Sequence, residues 1–147
     1  RQDYHGAYIA VIMKMLDAID RGEAPTIMGD GSEVFDFVAV EDCAKANICG
    51  MISDEIDKYY NVGTGKRTSL KNLAEKLLNL TGCNKEILYI PRSEATLVRN
   101  RIGSPKKACM EIKFTADIEL EDGLRRLIDW RASHKDEVVA CKLGTGL

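Results

Sequence analysis

Residues 60–82 read Tyr-Asn-Val-Gly-Thr-Gly-Lys-Arg-Thr-Ser-Leu-Lys-Asn-Leu-Ala-Glu-Lys-Leu-Leu-Asn-Leu-Thr-Gly, and this stretch decides the fold class. The β-prone residues 59–62 predict a strand that ends at a glycine-rich turn. The leucines that follow recur at three- and four-residue spacing, which predicts an amphipathic helix with Thr68 as its N-cap and Gly82 as its stop. A strand, a tight turn and a helix in succession are typical of an α/β protein.

The same alternation of helix and strand continues on both sides of this stretch. Helices are expected at 6–21, 42–52, 104–110 and 120–135, and strands at 25–28, 35–40 and 87–90. Asp42 is expected to cap the second helix, and Pro105 to open the fourth. Residues 91–103 are expected to be irregular, and the chain after Val139 to fray. Four or five helices alternating with four short strands predict an α/β fold without internal repeats.

Composition and charge limit the possible functions. The chain has 147 residues, of which 45% are hydrophobic, so it is long enough to bury a core without a disulfide or a metal. Its 21 Lys and Arg residues are balanced by 23 Asp and Glu residues. A nucleic-acid-binding protein needs an excess of positive charge to follow a phosphate backbone, so this class is disfavoured.

Cysteine usage and hydropathy indicate the compartment. The five cysteines never form a Cys-xx-Cys pair, which disfavours a zinc or redox site. They are interpreted as buried thiols in a reducing cytosol. The longest apolar stretch, 7–13, is too short to span a bilayer, and no signal peptide is visible. We therefore expect a cytoplasmic protein that does not enter a membrane.

Two glycine-containing segments were candidates for phosphate loops, and neither fits. A Walker-A pattern that ends at Gly65-Lys66 would need a glycine at Tyr60 and Ser or Thr at Arg67. The Gly29-Asp30-Gly31 segment lacks both the third glycine and the following helix of a dinucleotide-binding loop. The sequence therefore predicts no complete Rossmann half, and no Gly-x-Ser-x-Gly nucleophile motif is present.

A cluster of basic residues has two interpretations. Its members are Arg92, Arg99, Arg101, Lys106 and Lys107. Exposed charge is most often a solvated surface, whereas an arginine also offers a planar fork to a phosphate. Val98 to Arg101 alternates, which places both arginines of this run on one side of an extended segment. That arrangement suits a diphosphate.

An ordered series of motifs carries a family resemblance. The motifs are Arg1-Gln2, Gly29-Asp30-Gly31-Ser32, Asp36-Phe37-Val38, Val40-Glu41-Asp42-Cys43-Ala44, Tyr60-Asn61-Val62-Gly63-Thr64-Gly65, Ser104-Pro105-Lys106-Lys107-Ala108, and Leu120-Glu121-Asp122-Gly123-Leu124-Arg125-Arg126 with Trp130. Over residues 1–135 the chain resembles the C-terminal part of NAD-dependent nucleotide-sugar epimerases and dehydratases, which are extended short-chain dehydrogenases/reductases.

The resemblance implies a domain organisation. Residues 1–135 are expected to form the C-terminal substrate-binding lobe, with 136–147 as a tail and the Rossmann half missing. The helix after Asp42 and the strand 59–62 resemble parts that complete the cofactor sheet. Surface left without its packing partner is expected to favour homodimers, domain exchange or binding of the N-terminal Rossmann portion.

The resemblance also implies an activity for the parent enzyme. In this family, bound NAD takes a hydride from a nucleoside-diphosphate sugar and returns it after rotation or elimination, and a UDP-sugar is the expected substrate. The cofactor glycines and the catalytic Tyr-xxx-Lys lie upstream of Arg1 in such enzymes, so this chain is expected to be inert alone. The alternative is a stand-alone, non-catalytic module for nucleotide-sugar binding or assembly.

Six substrate contacts are carried over from the family. By resemblance, Ala10 and Val11 approach the sugar diphosphate, and Thr26 and Met28 lie against the nucleotide base. Met28 stands where relatives often have an aromatic residue, and a thioether can also cover a ring face.

The remaining two contacts are arginines. Many relatives have a phosphate-binding arginine at the position of Phe35, which carries no charge. Either Arg99 or Arg101 is therefore expected to bind the diphosphate, or the substrate differs. Leu97 also departs from the Gly-Asp-Val run that is common in the family's arginine loop.

Overall fold

Helices and short strands alternate along the chain, as the sequence predicts for the α/β class. The structure is a computed structural model that describes residues 11–92 and 99–142. Its elements are α1 (Val11–Asp20), β1 (Thr26–Met28), β2 (Val34–Phe35), α2 (Val40–Ile52), β3 (Thr68–Ser69), α3 (Leu70–Thr81), β4 (Leu88–Ile90), β5 (Asn100–Arg101), α4 (Lys106–Ile112), α5 (Leu120–Ser133) and α6 (Lys135–Lys142). None of the helices in these two ranges has the length and apolar character that a membrane span requires.

The larger core is built around α3. Its leucine face buries Leu73 and Leu77 completely, together with residues of α1, β1 and α5. The helix is capped by Ser69, whose hydroxyl accepts the amide hydrogen of Asn72 at 3.1 Å, and it ends at Gly82 in the left-handed conformation. Gly82 is thus confirmed as the stop, but the predicted N-cap is wrong by one residue.

A smaller core joins α2 to α4. It consists of Ala46, Ala108, Ile112 and Phe114, of which Phe114 is completely buried. Only the α2 face that carries Ala46 takes part in this core. The remaining surface of α2 contains exposed apolar side chains.

Two small sheets organise the strands. β1 and β4 pair in parallel, with Met28 opposite Ile90. In the second sheet, β2 is antiparallel to β3 and parallel to β5, so the strand order is β3-β2-β5. The turn at residues 29–32 leads from β1 directly to β2. It therefore brings the carboxyl end of the first sheet to the beginning of the second.

Three predicted strands or loops differ from the structure. The strand expected at 35–40 is confined to Val34–Phe35, where β3 and β5 supply its partners. Residues 59–62 form no strand within the described ranges. A strand requires a neighbouring strand to accept and donate its backbone hydrogen bonds. Conversely, the irregular segment 91–103 contains β5, because the backbone of β2 pairs with it.

The helix boundaries also need correction. Helix α2 begins at Val40, so Asp42 lies within its first turn and does not cap it. Pro105 is the N-cap of α4, one position before its predicted place. Beyond α5, the separate helix α6 covers Lys135–Lys142, which includes residues expected to fray.

Candidate functional site

The backbone of β2 binds residues 99–101, which consist of Arg99 and β5 and are called the arginine strand below. The amide of Val34 donates to the carbonyl of Arg99 at 2.8 Å, and the amide of Asp36 donates to the carbonyl of Arg101 at 3.0 Å. These two hydrogen bonds fix the peptides of both arginines against β2. The side chains of both arginines are exposed.

Asn100 shows how the side chains of this strand are divided between the two faces of the sheet. Its side-chain oxygen accepts a hydrogen bond from the Arg67 guanidinium at 3.2 Å. Since side chains alternate along an extended chain, Arg99 and Arg101 lie on the face opposite to Asn100 and Arg67. The guanidinium groups of Arg99 and Arg101 therefore share one face of the sheet.

The register of the sheet places Arg101 beside Phe35. Phe35 pairs with Arg101 across β2 and β5, and paired residues of neighbouring strands point to the same face. The Phe35 ring contacts that of Phe37, with 6.1 Å between the ring centroids. The positive charge that Phe35 lacks is thus present on the adjacent strand.

β1 presents two of the predicted contacts to solvent. Ile27 is buried in the larger core, whereas Thr26 and Met28 on either side of it are exposed. Met28 leaves 52% of its surface accessible. An exposed thioether next to a threonine hydroxyl offers an apolar surface and a hydrogen-bonding group on the same face of the strand.

Asp30 links β1 to the arginine strand. Hydrogen bonds from the Ser32 hydroxyl and amide hold the pKa of Asp30 below its usual range, and the charge of Arg99 acts in the same direction. The amide contact measures 2.9 Å. The hydrogen bond from the Val34 amide to the Arg99 carbonyl places the Arg99 backbone beside Val34, two residues beyond the turn at 29–32.

Of the last two predicted contacts, Val11 and Ala10, the structure describes Val11. Val11 is the first residue of α1, and its half-buried side chain packs against the larger core. Ala10 lies outside the described residues. Among the predicted contacts, the structure thus relates Arg99 and Arg101 to each other and, through Asp30, to Met28.

The glycine turn at 63–65 binds a carboxylate of the chain itself. Asp36 accepts hydrogen bonds from the amide and hydroxyl of Thr64 through one oxygen, and from the amide of Gly65 at 2.8 Å through the other. Gly63 lies so close that a Cβ atom there would be 2.5 Å from an Asp36 oxygen. The amides of this turn are therefore not offered to a phosphate.

The described residues do not fit the pyrophosphate of NAD. Asp36 occupies the turn at 63–65, and the turn at 29–32 carries the negative charge of Asp30. The same residues also contain no group of His, Cys, Asp and Glu side chains suited to a metal ion. The charged side chains that this face leaves exposed are those of Arg99 and Arg101.

Two other members of the basic cluster have partners within the chain. The Lys107 ammonium lies 4.7 Å and 5.0 Å from the ring centroids of Tyr59 and Tyr60. The Tyr60 hydroxyl donates to Glu111 at 2.9 Å, and this bond is the main cause that lowers the pKa of Glu111. Arg92 forms an ion pair with Glu33. Lys107 and Arg92 therefore stabilise the fold, while Arg99 and Arg101 face solvent.

Asp42 is a second carboxylate whose role the sequence did not reveal. It is only 2% exposed, and it accepts the amide hydrogens of Asp117 and Ile118 at 3.0 Å each. Lys45, one turn further along α2, donates to the carbonyl of Thr115. The acidic residue of this motif therefore anchors the segment before α5. No local sequence signal distinguishes this role from the helix-capping role expected of Asp42.

Comparison with known proteins agrees with this architecture. The model of the NAD dependent epimerase/dehydratase family matches residues 1–63. The putative UDP-glucose 4-epimerase of Methanocaldococcus jannaschii is 32% identical over 130 residues, which cover 88% of this chain and 41% of that protein. The UDP-glucose 4-epimerase of Thermotoga maritima, solved with UDP-glucose, is 32% identical with a TM-score of 0.83, covering 90% of this chain and 42% of that one. The Bordetella bronchiseptica enzyme WbmF, solved with NAD+, is 30% identical with a TM-score of 0.79, covering 92% of this chain and 40% of that one.

These similarities define the class of protein. The α/β fold of the chain is that of a part of the sugar-nucleotide epimerases it superposes on. The chain belongs to the NAD-dependent epimerase/dehydratase family, which confirms the resemblance carried by its motifs. It spans between about a quarter and two fifths of the length of the curated relatives it matches.

Proposed function

We propose that this chain is the UDP-sugar-binding portion of an NAD-dependent epimerase or dehydratase. The observation that carries the proposal is the pair Arg99 and Arg101, exposed on one face of the sheet beside Phe35. Two guanidinium groups on one face match the charge of a diphosphate. The nucleotide base would lie against Met28 and Thr26, and the sugar diphosphate would extend towards Ala10 and Val11.

The first test measures UDP binding by the natural gene product that contains this sequence. Arg99→Ala and Arg101→Ala should each weaken the affinity for UDP by roughly 2 kcal/mol, which is the contribution of a hydrogen bond to a charged group. Isothermal titration calorimetry at fixed salt concentration gives the dissociation constants.

Arg67→Ala is the matched control for these variants. Arg67 belongs to the same sheet but lies on the opposite face with Asn100. Its removal should leave UDP affinity unchanged. The assignment of the diphosphate to this face is wrong if neither Arg99→Ala nor Arg101→Ala changes the affinity, or if Arg67→Ala weakens it as much as they do.

The proposal divides the chemistry between two parts of the parent enzyme. None of the five tyrosines of this chain is followed by lysine four residues later, and the described residues do not fit the pyrophosphate of NAD. The acid–base tyrosine and the NAD site would therefore belong to an N-terminal portion. This chain alone would bind nucleotide sugar and leave it unchanged.

One surface of α2 is suited to contact that N-terminal portion. Ile48, Met51 and Ile52 follow helical spacing, and all three are more than half exposed, with Met51 84% exposed. Tyr59, which begins the unpaired segment 59–62, is also exposed. An exposed apolar helix face offers side chains to a further element, and a segment without a partner strand among the described residues can join a further sheet. We assign this surface to the cofactor-binding portion of the natural protein.

A charge placed on this surface tests the assignment. Met51→Asp in the natural gene product should lower its melting temperature by about 10 °C or more, because the carboxylate would be buried between the two portions. Val139→Asp, in α6, is the control, since Val139 is also half exposed and apolar. Equal and small shifts for the two variants would show that the α2 surface remains in water. Self-association through this surface would instead appear as a concentration-dependent melting temperature.

The intact mass of the natural gene product separates the proposal from its alternative. A mass more than twice the 16.3 kDa of this chain is expected, since the relatives are longer in that proportion. A mass near 16.3 kDa would favour the stand-alone module for nucleotide-sugar binding or assembly. In that case the cofactor would have to come from a separate protein.

A further inference from the structure

Glu33 is a buried acid at the junction of the two sheets. Only 4% of its surface is exposed, and one carboxylate oxygen forms an ion pair with Arg92 at 2.9 Å. Gly29 packs directly against this pair, since a Cβ atom there would be 3.4 Å from the same carboxylate oxygen. The backbone carbonyl of Glu33 accepts the amide hydrogen of Leu70, the first residue of α3, at 3.0 Å. Both the side chain and the peptide of Glu33 are thus fixed.

Glu33 and its neighbour Val34 hold two residues that are seven positions apart. The carboxylate of Glu33 binds Arg92, which follows β4, while the amide of Val34 binds the carbonyl of Arg99, which precedes β5. Two consecutive residues therefore contact the chain where it leaves the first sheet and where the arginine strand begins.

We propose that Glu33 is a positioning residue for the anion-binding arginines of this face. It keeps Arg92 against the turn at 29–32, and so sets the place at which Arg99 and Arg101 enter the sheet. This inference rests on the proposed UDP binding. Glu33 cannot touch the nucleotide itself, because its carboxylate is buried, so its whole effect on binding passes through the residues it holds.

The position of Glu33 has a physical cost that supports a specific role. A buried carboxylate is stabilised only if it is paired and hydrogen-bonded. The second oxygen of Glu33 is buried without a hydrogen-bond partner among the described residues. An apolar side chain would fill the same volume without this cost. Only a side chain with a hydrogen-bond acceptor can hold the Arg92 guanidinium.

The test is a double-mutant cycle on UDP affinity in the natural gene product. Glu33→Ala should raise the dissociation constant for UDP about tenfold, within the usual coupling between interacting residues. Once Arg99 has been replaced by alanine, Glu33→Ala can act only through Arg101 and should raise the dissociation constant only about threefold further. Glu33→Gln retains an acceptor for Arg92, and should restore most of the affinity lost in Glu33→Ala. If Glu33→Ala does not fold, Arg92→Met breaks the same pair from its half-exposed side and takes its place in the cycle.

A second ion pair supplies the control for general destabilisation. Asp17 binds the buried Arg131 at 2.6 Å and joins α1 to α5. Asp17→Asn should lower the melting temperature and leave UDP affinity unchanged. If Glu33→Ala weakens binding equally with and without Arg99, or has no effect while Arg99→Ala does, Glu33 is not a positioning residue. If the wild-type protein does not bind UDP, the proposed function fails first and this inference falls with it.

Discussion

Replacing Gly63 by alanine should lower the free energy of unfolding by about 3 kcal/mol, at the upper end of the usual cost of overpacking. The added Cβ would lie 2.5 Å from an Asp36 oxygen and 3.3 Å from its carboxyl carbon. Asp36 cannot move away without breaking its hydrogen bonds to Thr64 and Gly65. Urea unfolding followed by circular dichroism measures the loss as a lower midpoint with an unchanged slope.

Gly50→Ala is the control for this substitution. Gly50 lies in α2, and a Cβ atom there would meet nothing within 4 Å. Alanine is favoured over glycine in a helix, so stability should rise by about 0.5 kcal/mol. Opposite signs for the two substitutions would locate the effect in the contact with Asp36. A neutral Gly63→Ala would mean that the turn can relax around the added methyl group.

The second large effect is expected for Asp42→Asn, which should cost about 3 kcal/mol of unfolding free energy. The Asp42 carboxylate accepts from two amides, those of Asp117 and Ile118. An asparagine of the same shape can accept only one of them, because its amino group would face the other N–H donor. Chemical denaturation of the two proteins at the same pH gives the difference.

Asp117→Asn tests whether the loss comes from that buried carboxylate. The Asp117 side chain is exposed and forms a surface ion pair with Lys45, while its backbone amide remains available to Asp42. Surface ion pairs contribute little, so this change should cost less than about 0.5 kcal/mol. Similar losses of unfolding free energy for Asp42→Asn and Asp117→Asn would show that surface charge, and not the buried Asp42 carboxylate, determines stability here.

The sequence predicted correctly those elements that depend on residues close to one another along the chain. The leucine face of α3 and its Gly82 stop follow from spacing and from the conformational freedom of glycine, and both are present. The N-cap of α3 is Ser69 and not Thr68, because Thr68 pairs with Phe35 in the sheet. The spacing of residues within the helix cannot reveal this pairing. Residues 59–62 have strand composition, yet the described chain offers them no partner strand. Strand formation depends on a neighbour, and composition alone does not supply one.

The candidate site was predictable only in part for the same reason. The alternation at 98–101 anticipated an extended arginine strand, and β5 is extended at Asn100–Arg101. Its position beside Phe35 depends on pairing with a strand more than sixty residues earlier, which no local pattern encodes. Asp36 and Asp42 belong to the motifs that identified the family, but in the structure both bind backbone amides of the fold. The motifs therefore identified the family largely through residues that hold the fold together.

The span of these two anchors has a consequence for folding kinetics. Asp36 reaches a turn 28 residues away, and Asp42 reaches amides 75 and 76 residues away. Contacts between such distant positions require a large loop to close, and this closure costs entropy before the contacts compensate for it. We therefore expect these contacts to form after the rate-limiting step of folding. Interactions that are absent from the transition state slow unfolding without accelerating folding. The two carboxylates should therefore lower the unfolding rate, and with it lengthen the lifetime of the folded chain, while leaving its folding rate almost unchanged.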